Sequence, residues 1–195
     1  MIAYRYMDAS LYREEEDFKE GLSLLPEALR PHAAAPKDKE ARALRLGGLV
    51  LLTVLWASES GHTPLPPIAF SEKGKPYFTE GDLYFNISHS GRIALCALSD
   101  RPIGVDIEPL RKSFTEKEEG IARRFFTEEE QRLLAASFDK GEIFTKIWVR
   151  KEALVKRSGE GASALSLTDT VGLRFAKEET VTDNEGKKYF LAIAD

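Results

Sequence analysis

The sequence predicts an α+β chain built as two similar halves, and three observations lead there. Two segments, Lys39 to Trp56 and about Lys140 to Lys156, carry apolar residues at helical spacing over several turns. Around them lie short alternating or β-branched runs bounded by Gly, Pro and Asn, the pattern of small antiparallel sheets. The set recurs on either side of Ser99 to Pro102, so residues 1–100 and 101–195 each offer a few strands and one long helix to cover them.

Taken in order, residues 2–7 alternate and predict a strand. Residues 11–30, charged and then apolar with breaks at Gly21 and Pro26, predict two short helices. From Lys39 to Trp56 the positions of Ala41, Leu44, Leu49, Leu52 and Leu55 predict a long helix, buried mostly in its C-terminal half, with Arg42 and Arg45 near its start. Gly61 to Pro67 reads as a loop. Ile68-Ala69-Phe70 and Tyr77-Phe78 flank a turn that presents Lys73 and Lys75 around Gly74. Leu83 to Ile87 and Arg92 to Ser99 predict a hairpin with Ser88-His89-Ser90-Gly91 at its tip, and residues 102–108 add a third strand.

In the second half, Thr115 to Phe126 predicts a helix. Thr127 with Glu130 three residues on fits a capping box that opens another, running to Phe138. The long helix follows from about Lys140. Strands are expected at Val171–Phe175 and Tyr189–Ala194, with Asp183-Asn184-Glu185-Gly186 as the turn between them.

Composition narrows the function classes. A net charge of −4 and a pI near 5.6 argue against a general nucleic-acid binder, which carries a basic excess. The single Cys96 sits in the apolar run Ile93 to Leu98, forms no internal disulfide and fits a reducing cytoplasm. Residues 1–8 carry charges where a signal peptide has its apolar core, and the apolar run Leu46 to Ala57 is short for a bilayer span, so neither export nor membrane insertion is expected.

Chemistry concentrates in two stretches. On a helix, Trp148, Glu152 and Lys156 recur at i, i+4 and i+8 and share a face. On a strand, Gly104-Val105-Asp106-Ile107-Glu108 points Asp106 and Glu108 to one side, with Cα atoms roughly 7 Å apart. With the helix packed over that side, three carboxylates and a lysine converge. Such an oxygen-rich, incomplete cage suits Mg²⁺ while leaving positions for water and substrate phosphates. The same residues also read as a helix-surface salt pair and two solvated strand residues. Lys73 and Lys75 around Gly74, Arg42 or Arg45, and His89 are candidate phosphate contacts, and each is equally ordinary as a surface residue.

Four blocks, Lys73-Gly74-Lys75-Pro76, Phe85-Asn86-Ile87-Ser88-His89-Ser90, Gly104 to Glu108 and Trp148 to Lys156, resemble in order and spacing the surfactin-type 4′-phosphopantetheinyl transferases, and the likeness runs from the first strand to the last. The resemblance implies a pseudo-twofold arrangement of two α+β halves, each a small antiparallel sheet on a long helix, with coenzyme A in the cleft between them. It implies Mg²⁺-dependent transfer of phosphopantetheine from coenzyme A to a serine of an apo acyl or peptidyl carrier protein, with release of 3′,5′-ADP. Mn²⁺ would substitute for Mg²⁺, and the partners would include neither nucleic acid nor membrane.

Carried position by position, the resemblance makes Asp106, Glu108 and Glu152 the metal ligands. It makes Glu152, Lys156 and Asp106 catalytic, and Arg42, Lys73, Lys75, Ser88, His89 and Lys151 coenzyme A contacts. The length of the chain favours a self-sufficient monomer over the trimer expected of half-length relatives. Arg111, Lys112, Phe114, Arg123 and Arg124 are candidates for docking an acidic carrier.

Two departures stand out. Pro26-Glu27 is followed by Ala28-Leu29-Arg30-Pro31 where relatives carry basic residues, which leaves the clamp on the 3′-phosphate weaker or rebuilt from Arg30 and Arg45. Val149 occupies a position usually small or hydroxylated. Rival readings are a coenzyme A- or carrier-binding module without turnover, and another Mg²⁺-dependent phosphotransferase, for which a Gly-rich phosphate loop is missing.

Overall fold

Strand β1 (Ile2–Asp8), β4 (Tyr84–Ser90) and β5 (Ile93–Ser99) form an antiparallel sheet in the order β1-β5-β4. The all-apolar run of β5 explains its central place: every one of its residues is buried, with a strand on either edge. The computed structural model describes residues 1–61, 65–72 and 75–195. It divides into two compact units, Met1–Ile103 and Gly104–Asp195, both of α+β construction.

In the first unit the sheet is covered by α3 (Lys39–Ser60). The Asp38 carboxylate caps it by accepting the Ala41 N–H at 2.9 Å, and it stops at Gly61 in the left-handed conformation. By length and composition α3 is apolar enough to cross a membrane, but Leu52, Leu55 and Trp56 pack on Ala94, Cys96 and Leu98 of β5. It is the core helix of the unit. Short strands β2 (Ile68–Phe70) and β3 (Pro76–Phe78) pair antiparallel beside it.

Between β1 and α3 the chain forms a 3₁₀ turn at Ala9–Arg13, α1 (Glu15–Ser23), a second 3₁₀ turn at Glu27–Leu29 and α2 (Arg30–Ala34). Helix α1 runs through Gly21, where a break was expected. A Cβ there would lie 2.7 Å from the Tyr12 ring and 2.9 Å from a Leu46 methyl, so this glycine serves packing rather than a turn. The hairpin tip also differs. Ser88 to Ser90 belong to β4, and the connection is Gly91-Arg92, Gly91 taking φ 58°.

The second unit repeats the strand order with β6 (Gly104–Pro109), β7 (Lys177–Thr182) and β8 (Lys188–Ala194) arranged β6-β8-β7. Helices α4 (Glu116–Phe125) and α5 (Glu128–Ala136) both open with complete capping boxes, Thr115 with Glu118 and Thr127 with Glu130. Helix α5 stops before Phe138, which is fully exposed. Residues 171–175 are not a strand. The partner of β8 is instead Lys177–Thr182, an edge strand whose charged, solvated residues leave no apolar alternation to read.

Helix α6 (Lys140–Ser158) lies on this sheet, and Gly104 lets it come close. A Cβ at Gly104 would strike the Ala153 carbonyl and the Arg157 amide. Opposite on β8 stand Ala194 and Ala192, and Val149, Ala153, Phe190, Ala192 and Ala194 form one buried cluster. Val149 is fully buried in it, so the departure noted in the sequence is absorbed by packing.

A buried ion pair ties α6 to its neighbours. Lys151 Nζ donates to Glu130 Oε2 at 2.6 Å, with both side chains fully buried, and also to the Thr168 carbonyl. Glu130 further accepts from the Thr127 and Thr170 amides and the Thr170 hydroxyl. A pair this fully hydrogen-bonded is tolerated in a core, but removing one partner strands the other. Replacing Lys151 with Met is expected to destabilise the protein by about 3–5 kcal/mol in urea unfolding. Gly104→Ala should cost about 3 kcal/mol or more, since only backbone faces the added methyl; a melting temperature within a degree of wild type would refute the close approach.

Candidate active site

The site begins with strand parity. Because Gly104 faces α6, so do Asp106 and Glu108, two and four residues on, and small Ala192 beside Asp106 leaves room above the sheet. From the helix, Glu152 and Lys156 present themselves one turn apart, both half-buried. Lys156 Nζ meets Asp106 Oδ1 at 2.5 Å, with the Asp106 side chain only 6% exposed and Lys156 30%. On the opposite edge Arg150 Nε donates to Glu178 Oε1 at 2.6 Å, so α6 is fastened to both outer strands.

Electrostatics connect the three acids. Burial pushes the Glu152 carboxyl above the ordinary carboxylate range, the Asp106 charge pushes it further, Lys156 pulls it back and Glu108 adds a smaller push. The carboxylates thus share one neighbourhood. They do not form a finished ligand shell: among the described residues, no group of three or more His, Cys, Asp or Glu side chains is close enough to hold a metal ion. The Lys156 ammonium occupies Asp106 instead. The donors themselves, carboxylate oxygens carrying mutual repulsion, are of the kind a hard divalent cation takes.

Trp148 serves as the floor of this face, edge-on to Phe125 with centroids 5.9 Å apart and parallel to Phe144 at 6.4 Å. Lys151 is directed elsewhere. One residue from Glu152 on the helix, it turns inward to Glu130, so its ammonium is a structural group and not a surface contact for a ligand. Of the docking candidates, Arg111 is bound to Glu118 at 2.8 Å, Arg124 lies over the Phe125 ring, and Lys112 and Arg123 are exposed.

The first unit holds a second feature, a cavity of about 270 Å³. Its walls are mostly apolar, with Leu49, Phe70 and Ile87 among them, and its polar lining among the described residues is His32, Arg45 and His89. Lys75 immediately precedes the lining residue Pro76, and burial draws its ammonium below the usual lysine range. Ser88, buried, points to the other face of β4 from His89. Arg42 is not at the cavity: it donates to Glu15 at 2.9 Å and its guanidinium stacks 4.1 Å over the Phe18 ring. Lys73 lies outside the described residues. His32 and Phe70, whose rings are 4.8 Å apart, were not singled out from the sequence; no spacing rule marks them, because they come from separate elements.

Comparison with known proteins now bears on the site. The family model for the 4′-phosphopantetheinyl transferase superfamily matches residues 102–193. The chain is 36% identical over 165 residues to 4′-phosphopantetheinyl transferase Sfp of Bacillus subtilis (strain 168), covering 81% of this chain and 70% of that protein. It is 36% identical over 150 residues to the 4′-phosphopantetheinyl transferase AcpT of Salmonella typhi, covering 75% and 72%. Over a shorter stretch of 103 residues it is 42% identical to the 4′-phosphopantetheinyl transferase HetI of a Nostoc species, 49% of this chain and 43% of that one. Identity at this level, sustained over most of both chains in the first two pairs, exceeds what a shared architecture alone produces, and the chain belongs to the 4′-phosphopantetheinyl transferase superfamily.

Proposed function

We propose that this protein transfers the 4′-phosphopantetheine group of coenzyme A to a serine hydroxyl of an apo acyl or peptidyl carrier protein and releases 3′,5′-ADP. The serine Oγ forms a bond to the phosphorus next to the pantetheine arm, and the bond from that phosphorus to 3′,5′-ADP breaks. The observation that carries the reading is the meeting of Lys156 with Asp106 beside Glu152, in a chain so close to known transferases of this group.

Asp106, Glu108 and Glu152 would hold Mg²⁺, or Mn²⁺ in its place; a bound divalent ion offsets negative charge on the coenzyme A diphosphate. Lys156, half-buried with its ammonium against Asp106, would neutralise charge on the departing 3′,5′-ADP phosphate. Glu152 receives the serine proton, directly or through water. A carboxyl raised by burial and like charges is the better base for that step. Lys75 and His89 contact coenzyme A beside the cavity of the first unit, and Ser88 lies on the same strand.

The carrier is the protein partner, and neither nucleic acid nor membrane takes part. The protein works as a monomer in the cytoplasm; the core position of α3 and a buried Cys96 thiol, pushed far up by burial, fit that location.

Incubation with Mg²⁺, coenzyme A and apo carrier proteins should add the mass of phosphopantetheine to a carrier serine; no gain with any apo carrier would overturn the proposal. Asp106→Ala should lower kcat at least about 10³-fold with the fold intact.

A separate expectation follows from Glu152. A carboxyl whose titration is raised on folding stabilises the native state only while protonated, and that contribution is lost as pH rises through the folded value. Without added metal, Glu152→Gln should therefore melt higher than wild type at neutral pH and indistinguishably at strongly acidic pH, while losing transfer. A lower melting temperature at neutral pH would contradict the like-charge cluster.

A further inference from the structure

Two lysines of α6 meet buried carboxylates, and their surroundings differ in one respect. Lys151 and Glu130 are both fully buried, so neither charge has water to turn to. Lys156 keeps 30% of its side chain exposed, while Asp106, its partner at 2.5 Å, keeps 6%. The carboxylate therefore needs a counter-charge where it stands, whereas the ammonium reaches solvent by rotating its four-carbon stem. Lys156 lies in the last turn of α6, and its withdrawal requires no movement of the helix backbone.

An ammonium on the Asp106 carboxylate and a divalent ion on the same group exclude one another. Mg²⁺ takes its oxygens at about 2.0–2.1 Å, and an ammonium held against the same oxygen would repel it at close range. While the ammonium holds Asp106, the acids are not gathered into a ligand shell among the described residues. Seating the ion alone leaves Lys156 facing a second cation. Drawing Lys156 away to an anion, with no ion to follow, leaves Asp106 buried and bare. Each half of the exchange is costly by itself, and the two together cancel.

We propose that Lys156 is the resident counterion of Asp106, which the divalent ion has to displace and the coenzyme A diphosphate draws off, so that ion and coenzyme A bind as a coupled pair. The inference rests on the transferase reading, and it adds a linkage that the reading does not require. The same ammonium neutralises Asp106 in the empty site and the diphosphate in the filled one. Because such coupling is reciprocal, coenzyme A raises affinity for the ion by the factor by which the ion raises affinity for coenzyme A. Without Lys156 the ion meets no competitor at Asp106, and part of the linkage is lost.

The experiment titrates Mn²⁺ by electron paramagnetic resonance, with and without coenzyme A, into wild type, Lys156→Met, Lys156→Gln and Lys177→Gln. The Gln variant keeps an amide donor for Asp106 and serves where Met leaves the protein unfolded. Lys177 is the control for charge alone: on β7 it is in register with Ile193 and through it with Val105, so it faces away from Asp106. Without coenzyme A, both Lys156 variants should bind Mn²⁺ about 10-fold tighter than wild type, and Lys177→Gln should stay within about twofold of it. Coenzyme A should tighten Mn²⁺ on wild type about 10-fold or more, and on the Lys156 variants by a smaller factor. Lys156 variants that bind Mn²⁺ alone no better than wild type, or a gain of equal size in Lys177→Gln, overturn the inference. A wild-type protein that takes up no Mn²⁺ even with coenzyme A removes the metal-dependent transferase reading and the inference with it, so the two failures are distinct.

Discussion

The approach of helix α6 to strand β6 at Gly104 is the constraint on which the second unit depends. Only a residue without a side chain lets the α6 backbone lie where it does, and the strand's alternation then directs Asp106 and Glu108 at the helix. Once there, the two acids and Glu152 repel. Lys156 relieves part of that repulsion through Asp106, and the cost that remains appears as the raised Glu152 carboxyl. A fold selected for stability alone would not place three carboxylates this way. A divalent cation and a diphosphate would supply the missing charge balance.

The buried Glu130–Lys151 pair has the complementary role. It fixes the start of α5, the middle of α6 and the loop at Thr168 to Thr170 into one piece, so that the face of α6 carrying Glu152 and Lys156 rests on a rigid back. Adjacent residues of one helix thus face different ways: Lys151 inward to Glu130, Glu152 towards the charges of Asp106, Lys156 and Glu108. In the first unit a comparable division separates Arg42, held against Phe18 and Glu15, from Arg45 at the cavity.

Much of this was legible in the sequence, because periodicity encodes it. Period 3.6 placed Trp148, Glu152 and Lys156 on one face, period 2 placed Asp106 with Glu108, and the Thr127–Glu130 box marked the start of α5. Three things were hidden for physical reasons. Edge strand β7 is charged and solvated, so it lacks the apolar signal that was sought at Val171–Phe175. Gly21 reads as a breaker, yet its purpose is contact with Tyr12 across the chain. The directions of Lys151, Arg42 and His32 depend on partners 21, 27 and, for the carbonyl contact to Arg45, 13 residues away, which no local pattern specifies.

The central claim is that Asp106, Glu108 and Glu152 act as one cation site. Counting bound Mn²⁺ by electron paramagnetic resonance in the presence of 3′,5′-ADP tests it most directly. The account predicts a single tightly held ion per chain, lost on changing either Glu108 or Glu152 to Gln although these side chains sit on different elements. Undiminished binding in either variant, or several weak ions in the wild-type protein, would contradict it.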